Sequence, residues 1–111
     1  MVGYLNGELV MATQTVTVVR IYLREGEHLL SKILKILHEN GKAKGATVFQ
    51  GIAGFGEDGV LRSASLVDLA MDLPLVVEFY GEPVHMDELI AELTMRITLP
   101  HVVSWSAVSY V

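Results

Sequence analysis

Residues 45–56, Gly-Ala-Thr-Val-Phe-Gln-Gly-Ile-Ala-Gly-Phe-Gly, join a strand-like run directly to a cluster of glycines. Glycine costs a strand ordering entropy and gives it no side chain to pack. Gly51, Gly54 and Gly56 so close together therefore predict a bulged strand end with accessible backbone amides. Two readings of the cluster stand side by side: an anion-binding nest of convergent amides, or a structural bulge with a tight turn. It is not a dehydrogenase-type nucleotide fingerprint, because no helix begins directly after it.

Outward from this stretch the chain alternates strands and helices. Thr15, Val16, Thr17, Val18, Val19 and Ile21 make residues 14–24 a strand with apolar residues on both faces. Residues 27–40 carry Leu29, Leu30, Ile33, Leu34 and Leu37 at helical spacing, and Gly41 supplies the stop. Residues 46–52 form the second strand and residues 75–80 the third. Pro83 then opens a helix whose stripe is Met86, Leu89, Ile90, Leu93 and Ile97. Residues 102–111 alternate as the last strand. The order βαββαβ predicts an α+β, ferredoxin-like sandwich with a four-stranded antiparallel sheet and two helices on one face. Because the strands are apolar on both faces, the uncovered face requires its own shield, and self-association is the simplest.

At 111 residues, 51% of them apolar, the chain has room for one such domain over residues 14–111. Residues 1–13 read as an appended arm or a short hairpin turning at Asn6-Gly7. The net charge of −5 opposes non-specific binding to nucleic acid or anionic membrane, so an anionic ligand has to be held by local geometry. Cysteine is absent, which excludes disulfides, thiolate nucleophiles and cysteine metal sites. No apolar run reaches the length of a membrane span and no export signal opens the chain, so a cytoplasmic location is the expectation.

Three words carry a family resemblance: Gly45-Ala46-Thr47-Val48, then residues 51–56, then Asp72-Leu73-Pro74-Leu75-Val76-Val77-Glu78. In this order and spacing they resemble the PII-like group of small regulators, most closely the members grouped as domain of unknown function 190, over residues 15–111. Thr47, Gly54, Phe55, Gly56 and Glu78 match positions of the PII pattern, with one residue inserted before Gly54 and one deleted before Glu78. The resemblance implies a homotrimer, small-molecule sites in clefts between subunits, often for adenine nucleotides, and a sensor in place of a catalyst. Two departures limit it. Tyr80-Gly81-Glu82-Pro83 passes almost directly into the helix, without the second glycine loop and its phosphate-binding lysine, and nothing basic follows Arg96. A triphosphate loses most of its clamp, so AMP or another small anion is expected before ATP. The connection after Gly56 also lacks the tyrosine that nitrogen regulators use for covalent modification, so nitrogen signalling is not carried over.

The candidate ligand-binding residues are Thr47, Gly54, Phe55, Gly56, Arg62, Ser63 and Glu78, with no catalytic or metal residue among them. Arg62 offers a planar fork for phosphate or carboxylate and Ser63 a hydroxyl, if the connection folds back over the cleft; the bland alternative is a solvated loop. Lys42 and Lys44 complement the end of the helix dipole. His28, His38, His85 and His101 show no metal-ligand spacing, and Asp58, Asp68, Asp72 and Glu78 form no recognisable nucleophile–base pair. The leading expectation is a non-enzymatic PII-like regulator in which a small anionic effector orders the connection 57–72, to be read by a target protein. The alternatives are a divalent-metal-responsive trimer resembling CutA and a small enzyme of unknown reaction.

Overall fold

The computed structural model describes residues 2–64, 72–99 and 101–111. After an N-terminal hairpin, β1 (Val2–Leu5) and β2 (Glu8–Met11), come β3 (Thr13–Arg24), α1 (Leu30–Asn40), β4 (Gly45–Gln50), the short β5 (Ala53–Gly54) and β6 (Arg62–Ser63), β7 (Pro74–Gly81), α2 (Pro83–Arg96) and β8 (His101–Tyr110). The four long strands form one antiparallel sheet in the order β4-β7-β3-β8. This is the ferredoxin-like sandwich expected from the element order.

The two-residue period of β3 sets the layers. Val19, Ile21 and Leu23 face one side and are buried, opposite Phe79, Val77 and Leu75 of β7. Both helices close over that face, α1 through Ile33, Ile36 and Leu37 and α2 through Met86, Leu89 and Leu93. Phe79 and Ile21 have no exposed surface at the centre of this core. Burying side chains of this size contributes on the order of 1.5–3 kcal/mol each.

Helix ends follow local chemistry. Gly41 takes φ 72° and its amide reaches the Leu37 carbonyl at 3.3 Å, while Pro83 occupies the first turn of α2. The first helix starts later than residue 27. Glu25–Glu27 form a separate 3₁₀ turn, and His28, at φ 56°, breaks the path into α1. The Glu27 carboxylate accepts the Arg24 amide at 2.8 Å, so this residue locks the turn and does not begin the helix.

Among the described residues no helix covers the even-numbered face of β3. Tyr22, Phe49, Tyr80, Val103 and Trp105 are exposed there, around Arg20. The Arg20 guanidinium donates to Glu78 at 2.8 Å and lies 5.6 Å from the Trp105 ring and 6.0 Å from that of Phe49. At the N-terminus, Asn6 and Gly7 both take positive φ, as a two-residue hairpin turn requires. Tyr4, Leu5, Leu9, Val10 and Met11 are all exposed on that hairpin. The radius of gyration, 17.4 Å, exceeds the about 13 Å of a compact 100-residue domain, consistent with a hairpin that stands off the core. The apolar residues Leu66, Val67 and Leu69, which as sequence suggest a partly folded connection, lie outside the described residues, as does Asp68.

Truncating Phe79 opens a cavity with no solvent route. Phe79→Ala is expected to lower unfolding free energy by about 3–5 kcal/mol, and Ile21→Val by about 1 kcal/mol, in urea melts at matched protein concentration.

Candidate functional site

At one end of the sheet, where β3 and β7 meet the glycine-rich segment, lies a cleft of about 330 Å³. Tyr22, Arg24 and Glu27 line one wall, Gly54, Phe55 and Gly56 another, and Asp58, Arg62 and His101 close the rest. The segment is brought there by backbone pairing. The Gly51 amide donates to the Pro74 carbonyl at 2.7 Å, Gly54 pairs with Arg62 across β5 and β6, and the Ala64 amide reaches the Ile52 carbonyl at 2.8 Å. Arg62 is thereby folded back beside Gly54, and its side chain is only 12% exposed.

None of Gly51, Gly54 and Gly56 takes a positive φ. Gly51 and Gly54 serve close packing: a Cβ on either would lie 3.1 Å from the Pro74 ring. Gly56 has open space around the corresponding position, on the cleft wall. Phe55 holds its ring largely in solvent at the same wall.

Asp72 is the hub of the charged wall. Its Oδ1 accepts the Gly26 amide at 2.7 Å, and its Oδ2 accepts from Arg24 Nη1 at 2.7 Å and from Arg62 Nε at 2.9 Å. A Cβ at Gly26 would fall 2.7 Å from Asp72 Oδ1, so any larger residue there would push the carboxylate out of this position. The remaining face of Arg62 meets Asp58, Nη2 to Oδ2 at 3.0 Å and Nη1 to Oδ1 at 3.4 Å. The Gly26 amide, assisted by both arginines, holds the Asp72 carboxyl below its ordinary value, and Arg62, assisted by the Val60 amide, does the same for Asp58. Asp58 in turn raises Arg62. His101 Nε2 stands 3.5 Å from Glu57 at the edge of the cleft.

The structure thus gathers Gly54, Phe55, Gly56 and Arg62 around one cleft, with Ser63 beside Arg62 in β6 opposite Ala53. It does not bring Thr47 and Glu78 to the cleft. They sit directly across from each other on the open face of the sheet, where Glu78 holds Arg20. Arg24, Gly26 and Tyr22 were not singled out from sequence. Arg24 ends a strand that reads as wholly structural, and Gly26 matters only because Asp72, distant in sequence, rests on it. Among the described residues no group of three or more histidine, cysteine or acidic side chains is arranged to hold a metal, and no helix is long and apolar enough to cross a membrane.

The model of the family DUF190, described as "Uncharacterized ACR", matches residues 16–108. The chain belongs to the DUF190 family. A UPF0166 protein of Methanocaldococcus jannaschii is 39% identical over 66 residues, which cover 55% of this chain and 59% of that relative. The aligned part thus spans somewhat over half of that relative's length. A UPF0166 protein of Aquifex aeolicus is 36% identical over 78 residues, 67% of this chain and 74% of its own. Among solved structures, CPII of Thiomonas intermedia K12, a nitrogen regulatory PII-like protein described bound to ADP, AMP and bicarbonate, superposes with a TM-score of 0.65 at 15% identity. The match covers 92% of both chains. That likeness establishes the PII-like fold of this DUF190 chain.

The depressed carboxyls fix an acid limb of stability. Folding favours their ionised forms, so their contribution is complete above the ordinary value of 3.8 and is lost as pH falls through the lower folded values. Calorimetric melts are expected to show the melting temperature falling below about pH 4, with a shallower fall in Asp72→Asn. An equally steep fall in that variant would assign the acid limb to other carboxylates.

Proposed function

We propose that this DUF190 chain is a PII-like regulator that binds a small anionic effector, with a nucleoside monophosphate such as AMP preferred over ATP, in the cleft at Gly54, Phe55, Gly56 and Arg62. One observation carries the reading: Arg24 and Arg62 converge through Asp72 on the wall of a 330 Å³ cleft that also presents the rings of Tyr22 and Phe55. Arginine forks match phosphate and carboxylate oxygens, and aromatic rings offer a face for a base. The volume is at the low end of small-molecule sites, which favours a monophosphate over a triphosphate. ADP and AMP in the structurally similar CPII support the same ligand class.

The assembly is proposed to be a homotrimer in which copies shield each other's open sheet face, Tyr22, Phe49, Val103 and Trp105 around the Arg20–Glu78 pair. Thr47 and Glu78 then act at the interface between copies. The cleft abuts this face through Tyr22 and His101, so a neighbouring copy would complete its rim. Effector occupancy would change the order of the segment after Gly56, which a target protein reads without any chemical step being catalysed by the chain. The cytoplasm is the proposed setting for such a sensor.

Two measurements test this. Calorimetric titration with AMP, ADP, ATP and cyclic nucleotides is expected to find micromolar binding of a monophosphate, weakened at least about tenfold by Arg62→Ala. Binding of none below millimolar concentration, together with no effect of Arg62→Ala, would remove the effector. Light scattering at micromolar concentration is expected to give three protomer masses, and Val103→Asp, which places a charge on the open face without touching the core, is expected to dissociate the assembly. A stable lone protomer of the unaltered chain would refute the shared-face arrangement.

A further inference from the structure

The charges of the cleft do not suit a waiting anion site, because its arginines are already taken. Arg62 spends Nε on Asp72 and directs both terminal nitrogens at the two oxygens of Asp58. That paired contact is the one an arginine fork makes with a carboxylate or phosphate ligand. The two carboxylates are held very unequally. Asp72 is fixed by the Gly26 amide, Arg24 and Arg62, and lies against a backbone with no Cβ to push it away. Asp58 is 45% exposed and, besides Arg62, is held by the amide of Val60, two residues on in its own turn. Asp58 can therefore move into water at little cost to itself, while the Arg62 guanidinium it leaves, only 12% exposed, keeps Asp72 and turns its terminal nitrogens to whatever anion enters.

We propose that Asp58 is an internal stand-in for the effector: it occupies the Arg62 fork in the free protein, and an incoming anion binds by displacing it. The proposal rests on the effector site described above and adds how that site is regulated. Displacement exchanges one set of charge-assisted hydrogen bonds for another. A monoanionic carboxylate thus gains little, whereas a phosphate monoester, carrying more charge on more oxygens, gains the difference. Apparent affinity is the intrinsic affinity scaled down to the fraction of molecules in which Asp58 has left the fork, so Asp58 sets the effector concentration at which the protein responds. The same exchange removes the Asp58 tie between Arg62 and the turn at Gly59, φ 69°, and leaves only the 3.3 Å bond that Arg62 Nη1 donates to the Val60 carbonyl, which links occupancy to the segment following Gly56.

The test is calorimetric titration of the full chain with AMP and with inorganic phosphate, comparing the unaltered protein, Asp58→Asn, Asp58→Ser, Arg62→Ala and the Asp58→Asn/Arg62→Ala double variant. Asparagine keeps the shape and the acceptor for the Val60 amide but removes the competing charge. Both Asp58 variants are expected to bind AMP about five- to tenfold more tightly than the unaltered chain, an advantage that vanishes in the double variant. If the unaltered chain binds AMP with Arg62-dependent affinity and the Asp58 variants bind equally or more weakly, the stand-in is overturned while the effector site stands. If neither AMP nor phosphate binds any of these proteins below millimolar concentration, the effector site itself fails and the stand-in with it.

Discussion

The alternation of β3 is the constraint on which the rest of this molecule turns. Its odd residues Val19, Ile21 and Leu23 demand a dry layer, and the two amphipathic helices supply it. Its even residues Arg20, Tyr22 and Arg24 are thereby committed to the other side, where the described residues provide no second layer. A shift of one residue in register would exchange these sets and place guanidinium groups beneath the helices. The pairing of Ile21 with both Val77 and Val102 therefore fixes the core, the open face and the position of Arg24 together.

The open face is not simply a greasy surface left over from folding. Arg20 sits between two aromatic rings and is neutralised by Glu78, which together with Tyr22 raises its basicity. The charge is thus answered within the protomer, and the surrounding Phe49, Val103 and Trp105 remain available to a neighbouring surface. A paired charge within an apolar patch favours specific register over indiscriminate adhesion, since any mismatched contact would desolvate it without compensation.

The same register carries Arg24 to the end of the sheet, where Asp72 ties it to the Gly26 turn and to Arg62. Three separate stretches of backbone meet at one carboxylate. The cleft is consequently braced by three hydrogen bonds on the Asp72 side and held on the Asp58 side by a more exposed ion pair. Of the two carboxylates on Arg62, Asp58 is the one more open to water.

The amino-acid sequence alone carries the order of elements, the stripes of α1 and α2, the stop at Gly41, the start at Pro83 and, through short words, the family, because periodicity and turn chemistry are local and each is written within a dozen residues. It also marked Gly54, Phe55, Gly56 and Arg62, through the spacing of the glycine cluster and a resemblance carried by short words. It did not separate them from Thr47 and Glu78, which the structure leaves on the sheet face, nor did it reveal Arg24 and Gly26. Those assignments come from packing, since the partners of Asp72 lie nearly fifty positions away as well as ten, and what a carboxylate touches across such distances does not follow from its neighbours in the chain.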